Sequence, residues 1–251
     1  MKICQKKHIP GLAIWLVLTL PTISSPFELR PMTQAFEPSG RGTNRTFTIY
    51  NDLSEEVAVS VTIKGRAVDA EGVETLSDTK DFAIFPQQIL LKGKSSQVVR
   101  VRWQGASSLT SERSYRITAE EVPLKNSPAQ SSGSSTAAIK LILRFGGTIY
   151  VASPQARADV VVASARAIKE SGGDLLEVIL ENRGQRHAII DRPSLSLKAG
   201  EATHQIAESD LAKTLAGENI LAGGTRRIHL PWPNGLPLGP VEAKLNASFT
   251  H

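Results

Sequence analysis

The sequence predicts an all-β protein built as two sandwiches of packed sheets, and three observations carry that expectation. Short runs of β-branched and aromatic residues recur along the chain, turn residues separate them, and no long window has helical amphipathic spacing. At 251 residues there is room for two ordinary domains. With 41% hydrophobic and 21% charged residues, the composition is that of a globular chain with a core, not of a disordered or multi-span membrane protein.

The first series of predicted strands is Thr46 to Tyr50, Val57 to Ile63, Phe82 to Phe85, Gln97 to Trp103, Ser114 to Glu120 and Ile139 to Val151. Within SSQVVRVRW, Val99, Val101 and Trp103 point one way while Arg100 and Arg102 point the other, as in a half-buried antiparallel strand. Turn signals lie between the runs at Pro38-Ser39-Gly40, Asn51-Asp52, Glu71-Gly72, Lys92-Gly93-Lys94 and Gly105. A second series follows Pro154: Asp159 to Ala163, Leu175 to Leu180, Leu195 to Leu197, Arg226 to Leu230 and Val241 to Phe249. Its turns fall at Ser171-Gly172-Gly173, Asn182-Arg183-Gly184 and Gly223-Gly224. Each series has the length of one seven-strand immunoglobulin-like sandwich, which divides the chain into residues 25–154 and 155–251. The stretch NSPAQSSGSSTAA, Asn126 to Ala138, reads as a long, mobile loop between the last two strands of the first domain.

Residues 1–24 read as a cleavable secretory signal. Lys2, Lys6 and Lys7 precede the apolar run Gly11 to Leu20, Pro21 breaks it, and small residues lead to a cut after Ser24. The run is half the roughly 20 residues of a membrane-spanning helix, so no membrane insertion is expected once it is removed. Three lysines leave with it, and 26 basic residues then face 24 acidic ones, a balance of +2. That balance, without a Lys/Arg run, gives no support for a nucleic-acid partner. Cys4, the one cysteine, lies in the removed segment, which excludes disulfides, cysteine zinc sites and a cysteine nucleophile.

Motifs for catalysis are missing. His187, His204, His229 and His251 have no metal-ligand spacing, and each reads as a surface or loop residue. There is no G-x-S-x-G elbow, no G-x-G-x-x-G and no P-loop. Glu120 and Glu121 are neighbours on a strand and point to opposite faces, so they cannot act as a pair on one bond. No catalytic residue, metal or cofactor is expected, and the protein is not expected to be an enzyme.

The unusual element is AAIKLILRFGGTIYV. Ile139, Leu141, Leu143 and Phe145 form one strongly apolar row, and Lys140, Ile142 and Arg144 lie on the other. A long apolar strand entered from a mobile loop suggests an exposed edge, which invites pairing with another chain.

DFAIFPQQILLKGKSSQVVRVRW, then ERSYRITAEEVPL, then the apolar strand running to Tyr150 and Pro154 together resemble the periplasmic pilus-assembly chaperones, the PapD-like family, in the branch with a long loop before the last strand of the first domain. The second half matches by its layout, including ENRG at Glu181 to Gly184 and the closing LPWPNGLPLGP. The resemblance implies two immunoglobulin-like domains in a boomerang, located in the periplasm. It implies that a pilus subunit lacking its own last strand is completed by the chaperone's strand and delivered to an outer-membrane usher for fimbrium biogenesis. Carried over by position, the donated side chains are Ile139, Leu141, Leu143 and Phe145. Each contributes about 1.5–3 kcal/mol when fully buried.

The family also anchors the subunit's C-terminal carboxylate with two basic side chains. Where many members carry a lysine near the end of the donor strand, this chain has Thr148, after Gly146 and Gly147. Arg116 and Arg144 are the candidates the resemblance leaves, with Arg30 as a third. Self-association of the free chaperone through its apolar strand is a further expectation. Two other classes stand beside this reading: a secreted structural or adhesive immunoglobulin-like surface protein or pilus component, and a carbohydrate-active module using Trp232 as a platform. A packed corner of the second domain suits Trp232, between Pro231 and Pro233, better.

Overall fold

The structure is a computed structural model and describes residues 27–123 and 142–251. The expected signal and the expected 126–138 loop lie outside the described residues. Ten strands make up the first half: β1 (Phe27–Arg30), β2 (Thr33–Phe36), β3 (Asn44–Asn51), β4 (Val57–Val68), β5 (Glu74–Asp78), β6 (Phe82–Phe85), β7 (Gln88–Leu91), β8 (Ser95–Trp103), β9 (Arg113–Glu121) and β10 (Arg144–Val151). One sheet runs β1-β3-β8-β6 and the other β2-β10-β9-β4-β5, with β7 also paired to β4.

Alternation fills the space between them. Phe47 and Ile49 of β3, Val99, Val101 and Trp103 of β8, Ile117 and Ala119 of β9, and Ile149 and Val151 of β10 all enter one apolar cluster. Arg100 and Arg102 are exposed on the opposite face, as their spacing predicts.

The second half holds β11 (Val160–Glu170), β12 (Gly173–Asn182), β13 (Ala188–Ala199), β14 (Ala202–Ile206), α1 (Glu208–Leu215), β15 (Asn219–Ile220), β16 (Thr225–Pro231) and β17 (Glu242–Thr250). One sheet is β11-β12-β16, and in the other β13 pairs with β14, β15 and β17. Leu176, Val178 and Leu180 of β12 meet Ile190, Leu195 and Leu197 of β13, with Leu211 and Leu215 of α1 closing the cluster. Trp232 packs against this core and donates its indole N–H to the Leu236 carbonyl at 2.9 Å. The architecture is therefore nearly all β, in two sandwiches, as the sequence predicts.

The ENRG turn fixes the entry to the second sandwich. Asn182 donates to the carbonyls of Arg186 (2.7 Å) and Ile220 (3.0 Å), while its Oδ1 accepts the N–H groups of Asp159 and Gly184. A Cβ on Gly184 would lie 2.4 Å from the Arg157 carbonyl oxygen, so only glycine fits there.

Three expectations need correction. The strand expected over Ile139–Val151 begins, among the described residues, at Arg144, and Ile142 and Leu143 precede it as irregular chain. The reason is the partner: β9 ends at Glu121, whose N–H makes the last bond to this segment, to Leu143 O at 2.9 Å. His187 is buried, not a surface or loop histidine, because it is sandwiched at the junction of the two halves. Finally, α1 has no counterpart in the sequence reading. Its buried pair, Leu211 and Leu215, is a single helical repeat, too short to stand out against period-two runs.

Candidate functional site

The site is built on β10 and its neighbours. β9 pairs with β10 along its whole length, but β2 reaches it only over Thr148 to Val151. From Arg144 to Gly147 the second edge of β10 therefore has no strand on it among the described residues. Gly147 explains where β2 can begin. A Cβ there would sit 3.0 Å from both the Met32 carbonyl oxygen and Ile117 Cγ2, and that same carbonyl accepts the Thr148 N–H at 2.8 Å.

The two rows of β10 have different surroundings. Phe145, Ile149 and Val151 face the core, and Phe145 meets Phe27 edge to face with ring centroids 4.7 Å apart. Leu143 packs on the same cluster, and Ile142 is half exposed. Of the four expected donor residues, Leu143 and Phe145 thus lie against the protein's own core. Ile139 and Leu141 lie outside the described residues.

Arg116, Thr148 and Arg144 sit on the opposite face. Arg116 and Thr148 are cross-strand partners, as are Arg144 and Glu120. Arg116 donates Nη1 to Thr148 Oγ1 at 2.7 Å and offers Nε and Nη2 to the Glu74 carboxylate, with Nε–Oε1 at 3.1 Å. Glu74 also accepts from Arg66 Nε at 2.5 Å, and Arg66 reaches Ser114 Oγ at 3.3 Å. One carboxylate therefore bridges two half-buried guanidiniums. The Arg116 hydrogen bond, opposed by burial and reinforced by Arg66, holds the Glu74 carboxyl below its ordinary range. Thr33 of β2 faces Thr148 from the other side.

The structure does not gather the three candidate arginines into one place. Arg144 is largely exposed and bonded to Glu120, with Nε–Oε2 at 2.9 Å. It lies four rungs from the Arg116–Thr148 pair, roughly 13 Å along the strand. Arg30 is in the other sheet, where it bonds Glu28 at 2.6 Å and covers the Tyr50 ring at 5.3 Å.

The sequence reading missed Glu74 and Arg66. Both lie on the β4–β5 hairpin, whose second strand, ETLSD, has little β-branched character to announce it. Only the Glu71-Gly72 turn signal marked the place. The tip of this hairpin touches the second sandwich: Arg227 donates its N–H to Ala70 O at 2.7 Å and its Nη1 to Glu71 at 2.5 Å. Arg66, Glu74 and Arg116 accordingly lie beside the junction. Next to them Tyr150 stacks on His187 and accepts from Asn219 Nδ2 at 2.6 Å.

Among the described residues no group of three or more His, Cys, Asp or Glu side chains is arranged to hold a metal, and no helix is long and apolar enough to cross a membrane. What the arrangement offers is recognition: a strand edge left open among the described residues, with a guanidinium pair on the same sheet.

Comparison with known proteins agrees with this geometry. Residues 38–145 match the sequence profile described as "Pili and flagellar-assembly chaperone, PapD N-terminal domain". No curated protein matches the chain in sequence. Among solved structures, a chain from a chaperone–tip adhesin complex of CFA/I fimbriae biogenesis aligns with a TM-score of 0.57 at 13% identity, covering 88% of this chain and 98% of that one. A chain from the CsuC–CsuE chaperone–tip subunit complex of Acinetobacter baumannii archaic Csu pili aligns with a TM-score of 0.53 at 13% identity, covering 82% and 91%. One from the Salmonella enterica SafA pilin–SafB chaperone complex aligns with a TM-score of 0.51 at 15% identity, covering 92% and 96%. At these identities the likeness is one of fold.

Proposed function

We propose that the chain, whose residues 38–145 match the PapD N-terminal domain of pilus-assembly chaperones, is a periplasmic fimbrial assembly chaperone that binds pilus subunits by donating a strand. The observation that carries this reading is the edge of β10 from Arg144 to Gly147, which has no strand on it among the described residues and follows in sequence the alternating residues Ile139, Leu141 and Leu143. A subunit with an open groove completes its ladder on the free backbone of that edge, and the apolar row enters the groove. Leu143 and Phe145 continue the row into the chaperone's own cluster, so client and chaperone would share one apolar layer.

The subunit's C-terminal carboxylate is assigned to Arg116 with Thr148. Of the three candidate arginines, Arg116 is the half-buried one, and charge-assisted bonds gain strength away from bulk water. In this reading Arg144 and Arg30 are surface ion pairs. The division at residue 154, removal of residues 1–24, delivery to an outer-membrane usher and self-association of the free protein belong to the same proposal. The function is binding, not catalysis, and uses no cofactor.

The test is co-purification of a pilus subunit expressed beside this protein in the periplasm, comparing the wild type with Leu141→Arg plus Leu143→Arg. A one-to-one complex with the wild type, lost in a variant that keeps its far-ultraviolet spectrum, is the expected result. Equal retention by both, or by neither, would move the adhesive-module reading ahead.

A further inference from the structure

Glu74 is an odd residue to find beside a carboxylate anchor. It fills the fork side of Arg116, its Nε and Nη2, and takes Arg66 Nε as well. The Nη1 side of Arg116 is the one that Glu74 leaves open, and there Nη1 donates to the Thr148 hydroxyl at 2.7 Å. Lys64, directly across from Arg116 on β4, is matched by Asp78 at 3.2 Å. The cluster therefore holds two guanidiniums and one carboxylate, which leaves a single positive charge, directed to the Thr148 side.

From this, and resting on the assignment of Arg116 to the client carboxylate, we propose that Glu74 is the specificity-determining residue of the anchor. It is a resident carboxylate that reduces the guanidinium pair to a site for one monoanionic carboxylate and excludes free dianions. An incoming carboxylate meets Nη1 and the Thr148 hydroxyl, with Thr33 on the adjoining strand, and brings the cluster to neutrality. Phosphate or sulfate would bring a second negative charge against Glu74, where like charges repel. Without Glu74 the two guanidiniums would form an open fork, the arrangement that binds phosphate well.

Two probes separate the possibilities: inorganic phosphate, and a synthetic peptide copying the last strand of a pilus subunit, as free acid and as C-terminal amide. Binding is followed through the Arg116 Nε–H resonance in wild type, Glu74→Gln, Glu74→Ala and Arg116→Leu, using backbone resonances for the last. The expected pattern is that the wild type favours the free-acid peptide over the amide and gives no phosphate response. Both Glu74 variants, with melting curves still cooperative, should bind phosphate at least about tenfold more tightly, the scale of one charge-assisted bond. Unchanged or weaker phosphate binding in both variants overturns the role of Glu74 while leaving the anchor standing. If Arg116→Leu keeps the acid-over-amide preference, the anchor assignment itself falls, and the inference with it.

Discussion

Tyr150, the penultimate residue of β10, lies flat on His187, with ring centroids 3.7 Å apart and planes 12° from parallel. At the edge of the imidazole is Glu112, whose oxygens are 2.8 and 2.9 Å from Nδ1 and whose Oε1 also accepts the His187 N–H at 3.0 Å. The side chains of both His187 and Glu112 are almost fully enclosed, 3% and 2% exposed. β10 is thereby stacked on the second sandwich through a buried polar contact.

His187→Leu should be destabilising, because it leaves the buried Glu112 carboxyl with the backbone N–H of residue 187 but without the imidazole. A buried polar group that loses such a partner costs about 1–3 kcal/mol, whereas replacing both groups with apolar ones is far milder. The prediction is a drop in urea midpoint for His187→Leu and partial recovery in Glu112→Leu plus His187→Leu. Additive losses in this double-mutant cycle would show that the two side chains are not coupled.

Phe145→Ala should lower the stability of the free protein, before any client is present. Phe145 is part of the protein's own cluster through its edge-to-face contact with Phe27. A fully buried Phe→Ala costs about 3–5 kcal/mol, and the partial exposure of Phe145 brings the expectation to about 2 kcal/mol. Equilibrium unfolding of the isolated chain checks this, and an unchanged midpoint would show that the Phe27 contact adds nothing to the fold.

Tyr115 should resist ionisation. Burial, then the neighbouring Asp81 carboxylate, pushes the Tyr115 phenol far above its ordinary value, and its hydroxyl donates to Asp81 at 2.6 Å. Alkaline titration followed by phenolate absorbance should therefore show Tyr115 ionising only as the fold opens, and Tyr115→Phe should remove that late step. A Tyr115→Phe titration curve indistinguishable from the wild type's would contradict the contact.

The strands that were legible in the sequence are those whose alternation is dictated by a two-sided environment. SSQVVRVRW had to place Val99, Val101 and Trp103 inside and Arg100 and Arg102 outside, whatever its neighbours. The site was legible only in part, because its relationships are between strands. Arg116 and Thr148 are 32 positions apart and meet through register, and Glu74 reaches them from a hairpin with weak strand character. Nothing local to Arg30 distinguishes it from Arg116; only the sheet each belongs to does. His187 looked like a loop histidine because its burial is supplied by Tyr150 and Glu112, from the other half of the chain.

The Glu74 bridge also gives the stability an acid limb with a definite sign. Its folded-state carboxyl titrates below the ordinary value of 4.5, first because of the Arg116 hydrogen bond. Such a group binds fewer protons folded than unfolded in that range, so its contribution is complete above about 4.5 and is lost as pH falls through the depressed folded value. Glu177, lowered first by its bond from Arg166, acts in the same direction, so Glu74 accounts for a share of the limb and not all of it. Glu74→Gln keeps the side-chain shape and removes the charge. The stability gap between wild type and Glu74→Gln should be widest near neutral pH and close as the solution is acidified below about 4.5. Urea midpoints measured across that range decide it: a gap that stays constant with pH would mean that Glu74 stabilises by packing alone and that its charge is not held by the two arginines.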